Sequence, residues 1–445
     1  MRILDARCSA MVMCLLAALL LLAGGTEVPG AAEPDFSAPL SVEDCVRIAL
    51  EQSDQLAQAE ANLKSTHGSM RISTSAYLPS ASLSAAWSRQ WPERTAFMSE
   101  FGTDPIIVKY DGNVGFSLHQ NLVDLASYAD IKSSRKQYAA SSEEFKNTEA
   151  DLIASTKQQF YTCLAAIKVA DVEEEAVEVS REQLRRSETL FRLGSVARSD
   201  VLQARVNLAE AEQILIERRN GVRVELSRLA MDMGLDPRRD LMLDTTLVVP
   251  QSDPEGEMDS WISRALMTRP DLEAARGRVA AAEWAEKSAK LGRLPSISAS
   301  YRWNTSGSSD DPWLEFDSDN QTSTTWRWQL SASVPIFEGF AREGQIERAV
   351  GQRRAQHEAL DREEKLVVLE VKDSFLSIRK ERESLHAAGS SVRFAEENLR
   401  LQQALYESGA GTLLEWDNAN LDLRRARLLL IQAQINLLRA HVRFW

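Results

Sequence analysis

Residues 294–304 of the chain read LPSISASYRWN, and the interpretation of the whole sequence starts from this stretch. Proline ends the preceding helical pattern, because it supplies no amide donor and disfavours helix in the residue before it. Apolar and polar side chains then alternate strictly, and the apolar face carries Ile297, Ala299, Tyr301 and Trp303. A period of two over about ten residues, with one apolar aromatic face and one polar face, is typical of transmembrane β-barrel strands.

Three more stretches show the same alternation: residues 80–91, 113–119 and 325–334. A soluble sheet with one wet face is the alternative interpretation. The positions of half of the ten tryptophans favour the interpretation as membrane strands. These five lie on the apolar faces, where a barrel carries an interfacial aromatic girdle. They are Trp87, Trp91, Trp303, Trp326 and Trp328. Four strands cannot enclose a lumen and an open edge is not tolerated in lipid, so several chains must contribute.

The sequence also contains an internal repeat. A displacement of 216 positions places residues 78–80, Leu-Pro-Ser, on the same tripeptide at 294–296, and a displacement of 215 places Gly194 on Gly409. Basic residues, an apolar run at 11–23 and small residues begin the chain, in the order of a secretory signal peptide. We therefore predict a signal peptide (1–32), a first repeat (33–234, β-hairpin 80–123), a connector (235–259) and a second repeat (260–445, β-hairpin 296–337).

Helical patterns surround each hairpin. One helix precedes it, at residues 42–76 and 261–291, and a long proline-free stretch follows it, at 125–190 and 339–405. Apolar residues recur every seven positions from Val371 to Tyr406, and in the same register from Cys163 to Phe191. Sustained heptads indicate coiled coil. One long helix beside two stacked shorter ones, twice per chain, predicts a tall wall that several chains close into a tube.

Composition and motifs exclude several classes of function. A formal net charge of -13 argues against binding to nucleic-acid phosphates. The five histidines are scattered without metal-ligand spacing, and the chain has no phosphate-binding glycine loop. We therefore predict no catalytic residues, no cofactor and no metal. Cys45 and Cys163 are expected to be buried small side chains rather than a disulfide.

On these residues the sequence resembles the outer-membrane efflux protein family, the TolC-like exit ducts of Gram-negative bacteria. The resemblance is carried by residues 40–50, by the Leu-Pro-Ser entries to the first strands, by 334–339, and by the turn segments 194–201 and 409–416. It spans about residues 40 to 445. The first copy departs from the pattern at Asn121, where the second copy has Pro335.

The resemblance implies a mixed α and β membrane protein. In this fold a homotrimer places four strands per chain in a twelve-stranded β-barrel in outer-membrane lipid, continued by an α-helical coiled-coil tunnel in the periplasm. The implied function is that of an exit duct of a tripartite efflux or type I secretion system, which passively conducts substrates to the exterior. Its implied partners are a periplasmic adaptor and an inner-membrane transporter of the RND, ABC or MFS type.

The resemblance also implies two kinds of functional residue. Gly194, Ser195, Gly409 and Thr412 would form the helix tips that dock the adaptor. Asp200, Glu415 and Asp417 would lie at the periplasmic aperture. Each set has a structural alternative, because glycine commonly ends helices and acidic residues stabilise the first turn of a helix.

Two other classes of protein remain as alternatives. A periplasmic adaptor is also exported and rich in coiled coil, but it would have one helical hairpin between soluble β-domains. A secreted enzyme with a helical scaffold is disfavoured because no catalytic constellation is present.

Overall fold

A computed structural model describes residues 39–96, 106–248, 256–309 and 323–444. Residues from Leu40 onward form one unit. The predicted signal peptide at residues 1–32 and part of the predicted connector, residues 249–255, lie outside the described residues.

Helices and strands follow the same order in both halves of the chain. The helices are α1 (Val42–Gln52), α2 (Asp54–Ser75), α3 (Leu125–Arg192), α4 (Arg198–Asp232), α5 (Met258–Thr268), α6 (Pro270–Leu291), α7 (Ala341–Glu407) and α8 (Leu413–Phe444). The strands are β1 (Ser80–Ala96), β2 (Ile106–Val123), β3 (Ser296–Ser309) and β4 (Ser323–Ser333). Over the residues described, no helix combines the length and the apolar content that a bilayer crossing requires.

The helix that precedes each hairpin is broken, so the prediction of one continuous helix over 42–76 is wrong. Ser53 is extended, with ψ of 128°, and its side chain accepts a hydrogen bond of 3.3 Å from the Gln55 amide, which starts α2. In the second half, Arg269 is extended with the same ψ, because Pro270 follows it and disfavours helix there. Serine capping in one half and proline in the other therefore produce the same break.

The four strands form one antiparallel sheet in the order β1, β2, β3, β4. Side chains that are directly opposite share a face of the sheet. One apolar row crosses all four strands as Leu83, Phe116, Trp303 and Trp326. The strand β4 ends at Ser333, four residues before the expected end of the hairpin, because Pro335 cannot donate to a strand ladder.

The long helices form the core with their shorter neighbours. Helix α3 packs against α1, α2, α4, α6 and α8, and α7 packs against α5, α6 and α8. Val177 of α3 packs with Ala211 and Leu215 of α4, and Ile378 of α7 packs with Leu437 and Ala440 of α8. The heptad positions Val177 and Ile378 are almost fully buried, at 2% and 1% exposure, which confirms them as seam residues. Burial of such a side chain contributes about 1.5–3 kcal/mol.

Helix α6 approaches α3 closely at one glycine. A Cβ atom on Gly277 would lie 2.8 Å from the Cβ of Ala140. That separation is shorter than carbon atoms tolerate, so only glycine lets the two helices meet at this distance.

Candidate functional site

The two helix tips are built by the same backbone motif. Two residues beyond the last residue of α3, Gly194 has φ of 74°, a conformation that glycine adopts without strain. The Gly194 amide donates to the Phe191 carbonyl and the Ser195 amide donates to the Leu190 carbonyl, both at 2.9 Å. At Gly409, φ is 75° and the equivalent bonds are 3.0 and 2.9 Å. Both pairs have the pattern of a Schellman motif, which satisfies the last carbonyls of a helix.

Thr412 and Glu415 close the second tip with a capping box. The Thr412 amide and hydroxyl both donate to the Glu415 carboxylate at 2.8 Å, and the Glu415 amide donates to the Thr412 hydroxyl at 3.3 Å. These hydrogen bonds from the Thr412 amide and hydroxyl hold the pKa of Glu415 below its ordinary value. Glu415 is therefore an ionised, exposed carboxylate that also starts helix α8.

Asp200 occupies the equivalent position after the first tip, but its surroundings differ. The residue three positions earlier is Ala197, which has no side chain to cap the helix, so no capping box forms. The Asp200 carboxylate instead accepts a hydrogen bond of 3.1 Å from the Ser199 hydroxyl. The two acidic residues thus share a position in the tips and differ in their structural role.

Asp417 does not face the solvent as its neighbour Glu415 does. Its carboxylate accepts hydrogen bonds from the Gln183 amide of α3 and, at 3.2 Å, from the Asn207 amide of α4. Burial raises the pKa of Asp417, and the two hydrogen bonds offset part of this effect. Asp417 therefore ties α8 to α3 and α4. The resemblance placed Asp417 with Asp200 and Glu415 at the aperture, and in the structure its carboxylate is held between three helices.

Side chains from α3, α7 and α8 meet beside this contact. The Arg186 guanidinium forms an ion pair of 2.9 Å with Glu407 and lies 6.0 Å from the ring centre of Trp416. Trp416 is buried and stacks on Tyr406 with ring centres 5.3 Å apart. The predicted tip residues Gly194, Ser195, Gly409 and Thr412 are near these side chains in sequence but do not contribute to the cluster. Reasoning from the sequence missed Gln183, Asn207 and Arg186, because nothing in their spacing distinguishes them from other polar helix residues.

Between the helices next to Asp417 lies a cavity of about 450 Å³. Its walls combine apolar side chains such as Ile214 and Leu399 with charged ones such as Glu175 and Arg427. Glu175 and Arg427 form an ion pair of 2.7 Å across it. Residues of all four helices, α3, α4, α7 and α8, line the cavity.

The predicted girdle tryptophans are spread over several rows of the sheet. Trp303 and Trp326 are direct partners in one row, and Trp328 is opposite Tyr301 in the next row. Trp87 and Trp91 lie four and eight residues farther along β1 than Leu83, which shares the row of Trp303. Four of the five are largely exposed, from 57% for Trp87 to 80% for Trp91, whereas Trp303 is half-buried.

No metal-binding group is found in the described ranges, where no three His, Cys, Asp or Glu side chains are arranged to hold an ion. Cys45 and Cys163 are free and buried, as expected from their positions on packed helices. Burial raises the pKa of both thiols to about 12, so neither is a reactive thiolate.

Comparison with known proteins agrees with this architecture. Residues 45–234 and 261–444 match the family model described as outer membrane efflux protein. Protein CyaE of Bordetella pertussis is 24% identical over 87% of this chain and 79% of its own. The probable efflux pump outer membrane protein TtgC of Pseudomonas putida is 23% identical over 91% of this chain and 82% of its own.

The fold is also that of a solved structure, a membrane protein from Pseudomonas aeruginosa. It superposes with a TM-score of 0.76 at 19% identity, over 95% of this chain and 98% of that one. The match to the family model and to efflux pump outer membrane proteins rules out the alternative of a periplasmic adaptor. The matching family is one of transport ducts, not of enzymes. This chain is an outer-membrane exit duct and belongs to the outer membrane efflux protein family.

Proposed function

We propose that three copies of this chain close into a twelve-stranded barrel and a helical tunnel, as the family resemblance implies. The observation that carries the proposal is the sheet itself. Over the described residues, β1 and β4 each have one edge without a partner, and the apolar face is exposed at Leu83, Trp326 and Trp328. Unpaired edges and exposed aromatic rings are stable in a bilayer only when other strands pair with the edges and lipid covers the rings.

The two faces of the sheet support the same arrangement. Serines dominate the polar face, and Ser82 and Ser117 share a hydrogen bond of 2.7 Å across β1 and β2. In a closed barrel this face lines a water-filled lumen, and the tryptophan face meets lipid. Along β1, the tryptophan-bearing part of the sheet extends from the row of Leu83 to Trp91, eight residues farther, with Trp87 between them. The aromatic face is thus spread over about 26 Å of strand at 3.3 Å per residue.

At the other end of α3, the tips are proposed to dock the adaptor. Helix α3 leaves the sheet at Leu125 and is about 100 Å long at 1.5 Å per residue. Gly194, Ser195, Gly409 and Thr412 would form the docking surface. Leu193 and Leu414 support it, because they are 73% and 68% exposed next to those residues and present apolar surface to a partner helix.

The aperture is proposed to lie at the same end, with Asp200 and Glu415 as its charged residues. Asp417 has a different proposed part there, as an internal tie between the helices that frame the opening. The inner-membrane partner is a transporter of the RND, ABC or MFS type, since the chain itself carries no recognisable energy-coupling motif. A cleaved signal peptide is proposed to export the chain to the outer membrane of a Gram-negative bacterium.

Disulfide crosslinking between the two sheet edges tests the trimer. Cysteine at Thr325 of β4 is combined in turn with cysteine at Ser82, Ser84 or Ser88 of β1, all on the polar face. One combination is expected to give a crosslinked trimer in the outer-membrane fraction on a non-reducing gel. Cysteine at Thr325 with cysteine at Ala85, which lies on the other face, is the matched control and should not crosslink. A soluble periplasmic monomer would contradict the proposal.

A further inference from the structure

The register of the sheet places two arginines side by side on its polar face. Arg302 of β3 is the direct partner of Arg327 of β4. Arg302 is also opposite Ser117 of β2, which is itself opposite Ser82 of β1. This guanidinium row, Ser82, Ser117, Arg302 and Arg327, therefore crosses the whole sheet at one level.

Among the described residues, neither arginine is paired with a carboxylate. Both side chains are exposed, and in the part of the chain that the structure describes neither makes a hydrogen bond or an ion pair. The neighbouring rows of the polar face bring no carboxylate close to the pair. Two rows toward the hairpin loops, this face carries Ala86, Asn113, Ser306 and Ser323. One row toward the helices, it carries Ser80, His119, Ser300 and Gln329. The nearest carboxylate on this face of β2 is Asp111, six residues from Ser117, and it accepts a hydrogen bond of 2.8 Å from Ser308.

Like charges directly opposite one another destabilise an antiparallel sheet. Positive charge on an edge strand can prevent pairing with other chains. This role would explain Arg327, which lies on the edge strand β4, but not Arg302, because β3 is paired on both sides. The pair needs water or an anion in front of it, and the polar face is the one that the proposed barrel turns to its lumen.

We propose that the guanidinium row binds anionic groups, carboxylate or phosphate, of the cargo that passes through the barrel. This inference rests on the proposed function, since three chains are needed to bring six guanidinium groups to one level of the lumen. Guanidinium forms paired hydrogen bonds with carboxylate and phosphate, which a single ammonium group cannot do. Ser117 places a hydroxyl group directly opposite Arg302, and Ser82 places another one strand farther away. Their mutual hydrogen bond uses one of the two O–H groups and leaves the other available to an anion.

Anion block of single channels in planar bilayers tests the inference on the full-length protein. Tripolyphosphate or citrate is added on the barrel side, so that the probe reaches the row without crossing the helix tips. We expect both probes to block the unmodified channel. In the double variant R302Q/R327Q, half-maximal block should require about a tenfold higher concentration of either probe, because charge-assisted hydrogen bonds are lost. A larger change for tripolyphosphate than for citrate would identify phosphate as the preferred group.

Two further variants separate binding from general charge effects. R302K/R327K keeps the charge but loses the paired hydrogen bonds, so block is expected to weaken by less than in the glutamine variant. R89Q is the matched control, because Arg89 is on the opposite, apolar face over the ring of Tyr110. Equal block of the unmodified channel and R302Q/R327Q, with normal conductance, would overturn this inference and leave the exit duct intact. Absence of any conductance in the unmodified protein would instead overturn the duct.

Discussion

Asp417 illustrates how a single carboxylate gains a role from its packing. Its neighbour Glu415 starts helix α8 at the surface, whereas Asp417 points between helices and receives hydrogen bonds from Gln183 and Asn207. Gln183 is almost fully buried, at 4% exposure, so its amide has little access to water as an alternative partner. An acceptor at position 417 is therefore required for the tips to pack.

The raised pKa of Asp417 predicts a pH-dependent stability. Because the folded state holds the proton more tightly than the unfolded state, its contribution is fully present below the ordinary pKa of 3.8 and is lost as the pH rises through the raised value. Asp417→Asn keeps an acceptor and carries no charge. We expect its thermal midpoint, relative to that of the unmodified protein, to increase as the pH rises above 3.8.

Circular dichroism of the detergent-solubilised protein at a series of pH values measures this difference. Asp422→Asn is the control, since Asp422 is exposed on the same helix and its ion pair with Arg425 is 3.8 Å long. A stability difference for Asp417→Asn that does not change with pH would contradict the assignment of a buried, ionised carboxylate at this site.

At the scale of elements, the contact between α3 and α6 depends on the absence of one side chain. Glycine inside a helix normally costs about 0.5–1 kcal/mol relative to alanine, so Gly→Ala should stabilise an open helical position. Gly221 in α4 is such a position, with nothing within 4 Å of an added Cβ. At Gly277 the added Cβ would lie 2.8 Å from that of Ala140, and the expected sign reverses.

We therefore predict that Gly221→Ala stabilises the protein, and that Gly277→Ala destabilises it by about 1–3 kcal/mol, the cost of overpacking. Thermal unfolding of the two variants under identical conditions measures both effects. Stabilisation by Gly277→Ala would mean that α3 and α6 are farther apart than the structure places them.

Local patterns in the sequence predicted the helices and strands better than they predicted the contacts between those elements. Alternation identified the β-strands and heptads identified the coiled-coil seams, because both are properties of neighbouring residues. The break at Ser53 was missed, since a serine inside a helical pattern is compatible with a continuous helix. The pairing of Arg302 with Arg327 and the bonds of Asp417 depend on register and on three-helix packing, which spacing along the chain does not determine.

For the whole molecule, the proposed duct carries charges of opposite sign at its two ends. The guanidinium row lies in the sheet, whereas Asp200 and Glu415 lie at the tips, about 100 Å away along α3. Charges at a narrow mouth favour ions of the opposite sign. If three chains meet at the tips, six carboxylates surround the entrance, and cations should enter it more readily than anions.

Asp200→Asn combined with Glu415→Gln tests this without disturbing the tips. Glutamine retains the acceptor of the capping box with Thr412, so the start of α8 is preserved while the charge is removed. We expect the reversal potential in a potassium chloride gradient to shift toward anion preference, with the trimer and its conductance retained. Glu210→Gln is the control, because Glu210 is an exposed carboxylate on the same helix, α4, but lies ten residues beyond Asp200. An unchanged reversal potential in the double variant would remove Asp200 and Glu415 from the aperture and leave the tips with docking alone.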